Sequence, residues 1–395
     1  MKKIAIVGGG AAGCFCAALV SELHPDWSVS VFEAGPRPMA KLAITGGGRC
    51  NITNTFEGIG ALSEAYPRGD KLMKRLLHTF GPDDCLHWFE KRGVRFVVQD
   101  DFCVFPESQD AMQIVRTLER AMKNGGVQVH CGCKVYSVGP DRTVRIDDGS
   151  VKPDAVIVTT GGSTASQLLA GTGIELVPDV PSLFTFKIGD SGLRSLMGTV
   201  VDNVALGLAG TRFRSHGTLL LTDWGVSGPA TLRLSSYAAR WLASEQYRGM
   251  LLVNWMNDSE ASVRERLAAM SEGSRTVANS HPSELSDRLW KMLVGRAGIR
   301  TEARWQELGS KGLARLVNIL ISDTYEITGR ARFKEEFVTC GGVALSEVYP
   351  ETLQSRRIPG LYFAGEVLDI DAVTGGFNLQ AAWSTAWTVS HSLAQ

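Results

Sequence analysis

Residues 4–13 read Ile-Ala-Ile-Val-Gly-Gly-Gly-Ala-Ala-Gly. Four apolar residues run into a glycine cluster that opens onto alanines, the pattern of a buried strand, a tight turn and a helix. A second strand pattern, residues 28–32, ends in Glu33, twenty residues past Gly13. Each part has a task in holding a dinucleotide. Gly8 permits the tight turn, Gly10 lets backbone approach a pyrophosphate, and Gly13 lets helix and strand pack closely. Ala11 and Ala12 open the helix, whose N-terminus turns unpaired N–H groups and a positive dipole end toward phosphate. Glu33, followed by Ala34, accepts hydrogen bonds from a ribose hydroxyl. A glycine turn alone says little. Fed by an apolar strand and matched by an acid at this distance, it predicts a Rossmann-like dinucleotide fold.

The rest of the chain must be placed around that unit. At 395 residues it is too long for one typical core, so two or three domains are expected. Forty-one Lys and Arg balance forty-one Asp and Glu, so no global field draws it to nucleic acid or an anionic membrane. The first strand starts at residue 4 and no run of about 18 apolar residues occurs, so a cytoplasmic, membrane-free protein is expected. The eight cysteines include two C-x-C spacings but no C-x-x-C or C-x-x-x-x-C, which predicts reduced thiols and no metal site.

Up to about residue 180 the sequence alternates strand and helix, as a parallel sheet requires. Helices are expected over residues 69–91 and 110–123, a strand or hairpin over 94–105, and a β-meander over 127–138 and 144–146. Residues 183–256 break into short strands split by glycine, the texture of a small antiparallel sheet or barrel. Pro229 starts a helix there, with Ser227 as its cap. Residues 257–322 read as helical, opened by a capping box of Asn257 and Glu260. Two apolar stripes, Leu285, Leu289, Met292 and Leu293, then Leu313, Leu316, Val317, Leu320 and Ile321, are packing faces. After Arg332 the α/β texture returns. The expected architecture is an α/β, Rossmann-like domain from both chain ends (1–180 and 333–395), an inserted β-rich, barrel-like domain (181–256) and a helical domain (257–332).

Further glycine turns follow buried strands at Thr160-Gly161-Gly162 and Gly365-Glu366. Ligands in open α/β sheets sit beyond the carboxyl ends of the strands, so these turns are expected to converge with Gly8–Gly13 on one crevice. A nicotinamide dehydrogenase needs only the first. A flavin dinucleotide is longer, and a distant segment must hold its far end. The helix opening at Gly375-Gly376-Phe377-Asn378 suits that role, since its N-terminus stabilises the negative charge of a reduced flavin. Glu366 and Asp369 bond ribityl or ribose hydroxyls or cap the turn, and Val135 is a further cofactor contact. The cofactor expected is therefore FAD. With no second GxGxxG and no dithiol, NAD(P)H is expected to dock transiently at the flavin.

The most distinctive loop is Lys41-Leu-Ala-Ile-Thr-Gly-Gly-Gly-Arg-Cys-Asn-Ile-Thr-Asn, ending at Asn54. Gly46, Gly47 and Gly48 bring backbone near a ligand, Arg49 supplies a cation, and Asn51 and Asn54 supply amides. This stretch resembles the signature of the BaiN/YhiN-type, or aminoacetone-oxidase-type, FAD flavoproteins. The resemblance extends to Gly341-Gly342-Val343, to residues 225–229, to residues 360–371 and to residues 375–383. It implies FAD in a two-segment domain carrying an inserted β-rich domain and a helical one. Members are linked to amine oxidation, to reduction of steroid double bonds and to dihydrouridine formation in ribosomal RNA. Two positions depart from the pattern. Thr222-Asp223-Trp224 stands where the family often has Thr-His, and Thr45 replaces its usual Ser.

Reduction of a C=C bond by a flavin needs a hydride and a proton from a nearby acid. Cys50 is a candidate because Arg49 beside it would lower its pKa; the alternative is a small residue packed under the glycine loop. Asp223 is a second candidate acid or base, His216 a weaker one, and Trp224 could stack on a planar substrate. Three readings follow. The first is an FAD-dependent reductase of an unsaturated small molecule or RNA base, fed by NAD(P)H. The second is an amine oxidase using oxygen. The third is a flavin-dependent enzyme that binds and modifies structured ribosomal RNA, with Arg212, Arg214, Arg330, Arg332 and Lys334 as basic contacts.

Overall fold

A computed structural model of the chain describes residues 1–162, 164–270, 275–331 and 338–393. The chain forms two compact units, residues 1–180 with 338–395, and residues 181–337. No described helix is long and apolar enough to cross a membrane.

The first unit is built on a parallel five-stranded sheet in the order Leu361–Phe363, Ala155–Val158, Lys3–Val7, Ser28–Glu33, Gln128–Cys131. Ile4, Ile6, Val156, Ile157 and Val158 are almost wholly buried, which explains near-continuous apolar strands instead of alternation. Over the sheet the helix Ala11–Leu23 packs against the last helix, Phe377–Ser392. Phe15 and Trp383 meet edge-on at 5.3 Å in that contact, and the Trp383 indole N–H donates to Ile52 O at 2.9 Å.

Two expectations for this unit change, and a third is met to within a residue. The helix anticipated over residues 69–91 is two helices, Asp70–Thr79 and Pro82–Glu90. Pro82 has no N–H to continue the first, and Gly81 N instead bonds Asp84 Oδ2 at 2.8 Å. The helix expected at 110–123 is Ala111–Asn124, with Asp110 capping Met112 N. The anticipated meander divides: Gln128–Cys131 joins the parallel sheet, and the antiparallel strands are Val135–Val138, Val144–Ile146 and Gly149–Val151.

The second unit contains a closed barrel of Phe186–Ile188, Gly225–Ser227, Arg214–Leu221, Val200–Leu208, Gly249–Asn254 and Asp323–Arg330. Separate β-rich and helical domains were expected here. Instead the last strand, from the end of the expected helical domain, pairs with both Phe186–Ile188 and Gly249–Asn254 and so closes the barrel. Closure removes both open edges. Barrel residues Phe186, Leu206, Leu221 and Ile327 share one core with Leu289, Leu293, Leu316, Val317 and Leu320 from both helical stripes. The helix caps also differ. Gly228, not Ser227, precedes Pro229–Tyr237. Asn257 donates to Asn203 Oδ1 at 2.8 Å, and Ser259 Oγ accepts from Ser262 N at the start of Glu260–Met270. Arg332 and Lys334 lie outside the described residues.

A buried polar cluster ties the closing strand to the helices. The Asp323 carboxylate, fully buried, accepts from Arg296 Nη2 (2.7 Å), Tyr325 Oη (2.5 Å) and Trp255 Nε1 (3.2 Å). Arg296 also reaches Asp190 at 2.9 Å. Removing the cation while leaving the buried carboxylate costs about 3 kcal/mol. Arg296→Met is therefore expected to lower unfolding stability by about that much in chemical denaturation, and an unchanged midpoint would refute the assignment.

Candidate functional site

The site is built where the parallel strands of the first unit end. A Cβ at Gly13 would overlap Gly8 O, and one at Gly8 (φ 106°) would lie 2.7 Å from Thr159 O. The helix start thus sits directly on the turn. Thr159 Oγ1 donates to Gly8 O at 2.8 Å and joins the first turn to the second. The third turn closes in from the other side, since a Cβ on Gly365 would come within 2.8 Å of Ala12 Cβ. The three turns converge, and a Cβ at Gly10 would meet nothing within 4 Å. That open space above a helix N-terminus fits a pyrophosphate.

At one end of the crevice the Glu33 carboxylate accepts from Gly9 N and Gly35 N, both at 2.7 Å. These bonds hold both oxygens in place, and each oxygen keeps a lone pair for a hydroxyl. Cys133 N donates to Glu33 O at 2.9 Å, which leads the chain past this carboxylate to half-buried Val135. At the second turn, a Cβ on Gly161 would lie 3.5 Å from Glu366 Oε2, and Glu366 Oε1 accepts from Thr339 N at 2.7 Å. Burial pushes the Glu366 carboxyl up, Lys41 opposes the shift, and Asp371 adds to it. Thr160 is half-buried beside it, Gly162 packs on Thr339, and Asp369 N bonds Val343 O at 3.0 Å.

Gly46, Gly47 and Gly48 all have positive φ (58°, 68° and 84°), a run that side chains strongly disfavour. Cβ atoms at Gly47 and Gly48 would meet nothing within 4 Å, so this loop also leaves space for a bound molecule. Arg49 is exposed. Its guanidinium lies over Phe105, 4.3 Å from the ring centre, and bonds Gly46 O and Gln109. It therefore does not activate Cys50, and that expectation is corrected. Cys50 is fully buried at φ 62°, and burial pushes its thiol up to about 12, partly offset by the Thr45 hydroxyl.

The loop asparagines were expected to bond a ligand, yet they hold protein backbone. The Asn51 amide donates to Thr53 O (2.9 Å) and accepts from Gly376 N (3.2 Å), while Asn54 Nδ2 donates to Gly375 O at 3.1 Å. Asn378 likewise brackets Ala372, accepting from its N at 2.9 Å and donating to its O at 3.0 Å. Gly376, at φ 88°, starts the last helix so close to Thr53 O that no Cβ would fit. Phe377 is buried, and its carbonyl accepts from Tyr66 Oη at 2.9 Å.

Several of these positions escaped the sequence analysis: Thr159, Thr339, Tyr66, and the pair Arg68 and Asp371, joined by two hydrogen bonds. None belongs to a local spacing pattern. Their partners come from 151 to 311 residues away, except Thr339 and Glu366, which are 27 apart.

The remaining candidates lie in the barrel unit. Asp223 is exposed, and its carbonyl accepts from Arg194 Nε at 2.8 Å. Trp224 is half-buried with its indole N–H 3.3 Å from Thr185 Oγ1, and His216 is exposed.

The thiol result gives a direct prediction. Because the folded state holds the Cys50 proton more tightly than the ordinary value of 9.0, its contribution is complete below about pH 9 and is lost as pH rises toward 12. At pH 8, iodoacetamide is expected to label exposed Cys131 and spare Cys50, read by peptide mass spectrometry. Early labelling of Cys50 in folded protein would overturn this.

Comparison with known proteins places this geometry. The chain is 30% identical over 408 residues to the ribosomal RNA dihydrouridine synthase of Escherichia coli, covering 98% of this chain and 97% of that protein. It is 27% identical over 419 residues to the 3-dehydro-bile acid delta(4,6)-reductase of Clostridium scindens, with 100% of both chains covered. Residues 2–392 match the family described as "HI0933-like protein Rossmann domain". The chain therefore belongs to the HI0933-like Rossmann family, a family of FAD-dependent oxidoreductases.

Proposed function

We propose that this protein is an NAD(P)H-fed reductase that adds hydrogen across a carbon–carbon double bond conjugated to a carbonyl. The observation that carries it is the convergence of three glycine turns and the last-helix N-terminus on one side of a parallel sheet. Bound FAD supplies a two-electron hydride carrier. The two relatives are named for different substrates, but both names describe saturation of such a bond.

The residues divide the work along the crevice. Glu33, with Gly9 and Gly35 fixing its oxygens, takes the adenosine ribose. The Gly8–Gly13 turn with Ala11 and Ala12 takes the pyrophosphate. Glu366 and Asp369 take ribityl hydroxyls, and the open faces of Gly47 and Gly48 border the same molecule. The N-terminus of Phe377–Ser392 would stabilise the negative charge that a bound flavin gains on reduction. Cys50, buried and with its thiol pushed up to about 12, is a poor proton donor at neutral pH.

Two measurements test this. Anaerobic mixing of the yellow protein with NADH or NADPH is expected to bleach the flavin rapidly. Absence of bleaching with either, together with peroxide release on adding amines, would shift the reading to an oxidase. Glu33→Ala leaves two backbone N–H groups without their acceptor and removes the ribose contact, so FAD affinity is expected to fall at least about tenfold. Retention at the wild-type level would remove Glu33 from the site.

A second reading, an RNA base as substrate, is favoured by one surface. Arg116, Arg120 and Lys123 are exposed at i, i+4 and i+7 on helix Ala111–Asn124, so they line one face. A groove of about 790 Å³ runs past Arg120 and Lys91, while Arg92 on its wall is paired with Glu22 and stacked on Trp88. Just before this helix, Gln109 contacts Arg49 of the glycine loop at 3.4 Å. Of the basic groups expected from sequence, Arg212 is exposed, whereas two others have their guanidinium groups engaged within the protein. The Arg214 guanidinium is taken up by Leu208, Thr211 and Phe213 carbonyls, and that of Arg330 stacks on Tyr247. Reversing Arg120 and Lys123 to Glu is expected to weaken binding of ribosomal RNA fragments and flatten its salt dependence by roughly 0.7–0.9 in log–log slope per lost phosphate contact. An unchanged slope would leave the small-molecule reading standing.

A further inference from the structure

The segment before the last helix is held from one side by residues 65–69. Val373 N donates to Ala65 O (2.9 Å), Tyr66 Oη donates to Phe377 O (2.9 Å), and Arg68 pairs with Asp371 in a single antiparallel bridge. The Asp371 side chain is fully buried and that of Arg68 is 12% exposed. Arg68 Nε donates to Asp371 Oδ1 at 2.6 Å, and Nη2 donates to Oδ2. Asp371 adjoins Ala372, whose N–H and carbonyl are both bonded by Asn378 in the first turn of the helix. Glu366 feels the Asp371 charge as well. A buried carboxylate is therefore built in beside a helix N-terminus.

A bare carboxylate there would oppose the helix dipole, which favours negative charge at that end. A bidentate guanidinium neutralises the carboxylate and leaves the dipole free to act. We propose that Arg68, by neutralising Asp371, is a positioning and charge-setting residue that raises the reduction potential of the flavin. The proposal rests on the placement of the flavin at this helix end given above. It concerns the energy of electron uptake, which the fold alone does not require to change when the pair is altered.

The test uses FAD-loaded full-length protein and dye-equilibrated potentiometry. R68Q, which leaves the carboxylate, is expected to shift the reduction equilibrium about tenfold against the reduced flavin, about 30 mV for two electrons. D371N, which leaves the guanidinium, is expected to shift it by a similar factor the other way. R68K keeps the charge and should stay within about threefold of wild type, as should R68Q/D371N. A purely structural pair would lower the melting temperature of all four variants and leave the potentials unmoved. Unmoved potentials in D371N and in whichever Arg68 variants fold with FAD bound would overturn the proposal. Wild-type protein that cannot be loaded with FAD would instead overturn the cofactor site itself, and this inference with it.

Discussion

The contact on which the first unit depends is the seat of helix Ala11–Leu23 on the turn that precedes it. Gly13 lies so close to Gly8 O that a single added carbon has no room. That closeness sets the helix over the end of its strand, with its N-terminus facing the space at Gly10. It also lets Thr159 reach across to Gly8 O and Gly365 press against Ala12. Two glycines near the start of the chain thereby fix where residues near positions 160 and 365 must meet.

The far end of the crevice is assembled by a different device. The last helix is buried on almost every face and could slide along its axis if only packing held it. Polar contacts fix its position: Asn51 on Gly376, Asn54 on Gly375, Tyr66 on Phe377, and Thr53 on Gln380 at 2.6 Å. These groups are buried or half-buried, so leaving any one unpaired would cost more than the bond itself contributes. The amides of the glycine loop therefore hold the start of the last helix in place.

In the second unit the same logic applies to a charge. Asp323 is in the strand that closes the barrel, and its carboxylate is satisfied by a guanidinium, a phenol and an indole. A fully satisfied buried network specifies one arrangement, because any slip of the strand would strand the charge.

The sequence by itself determined the elements whose physics is local. A strand-turn-helix with glycines at 8, 10 and 13, an acid at 33, glycine turns at 161 and 365, and the two helical stripes are all written in neighbouring residues. Periodicity and backbone permissiveness act over a few positions, so they are readable there. Tertiary structure alone decided what depends on partners hundreds of residues apart. It turned Arg49 toward Phe105 and left the Cys50 thiol buried, it joined Arg68 to Asp371, and it took a strand from the end of the expected helical domain to close the barrel. A side chain's charge state and its partner follow from what surrounds it in space, and chain order does not carry that information.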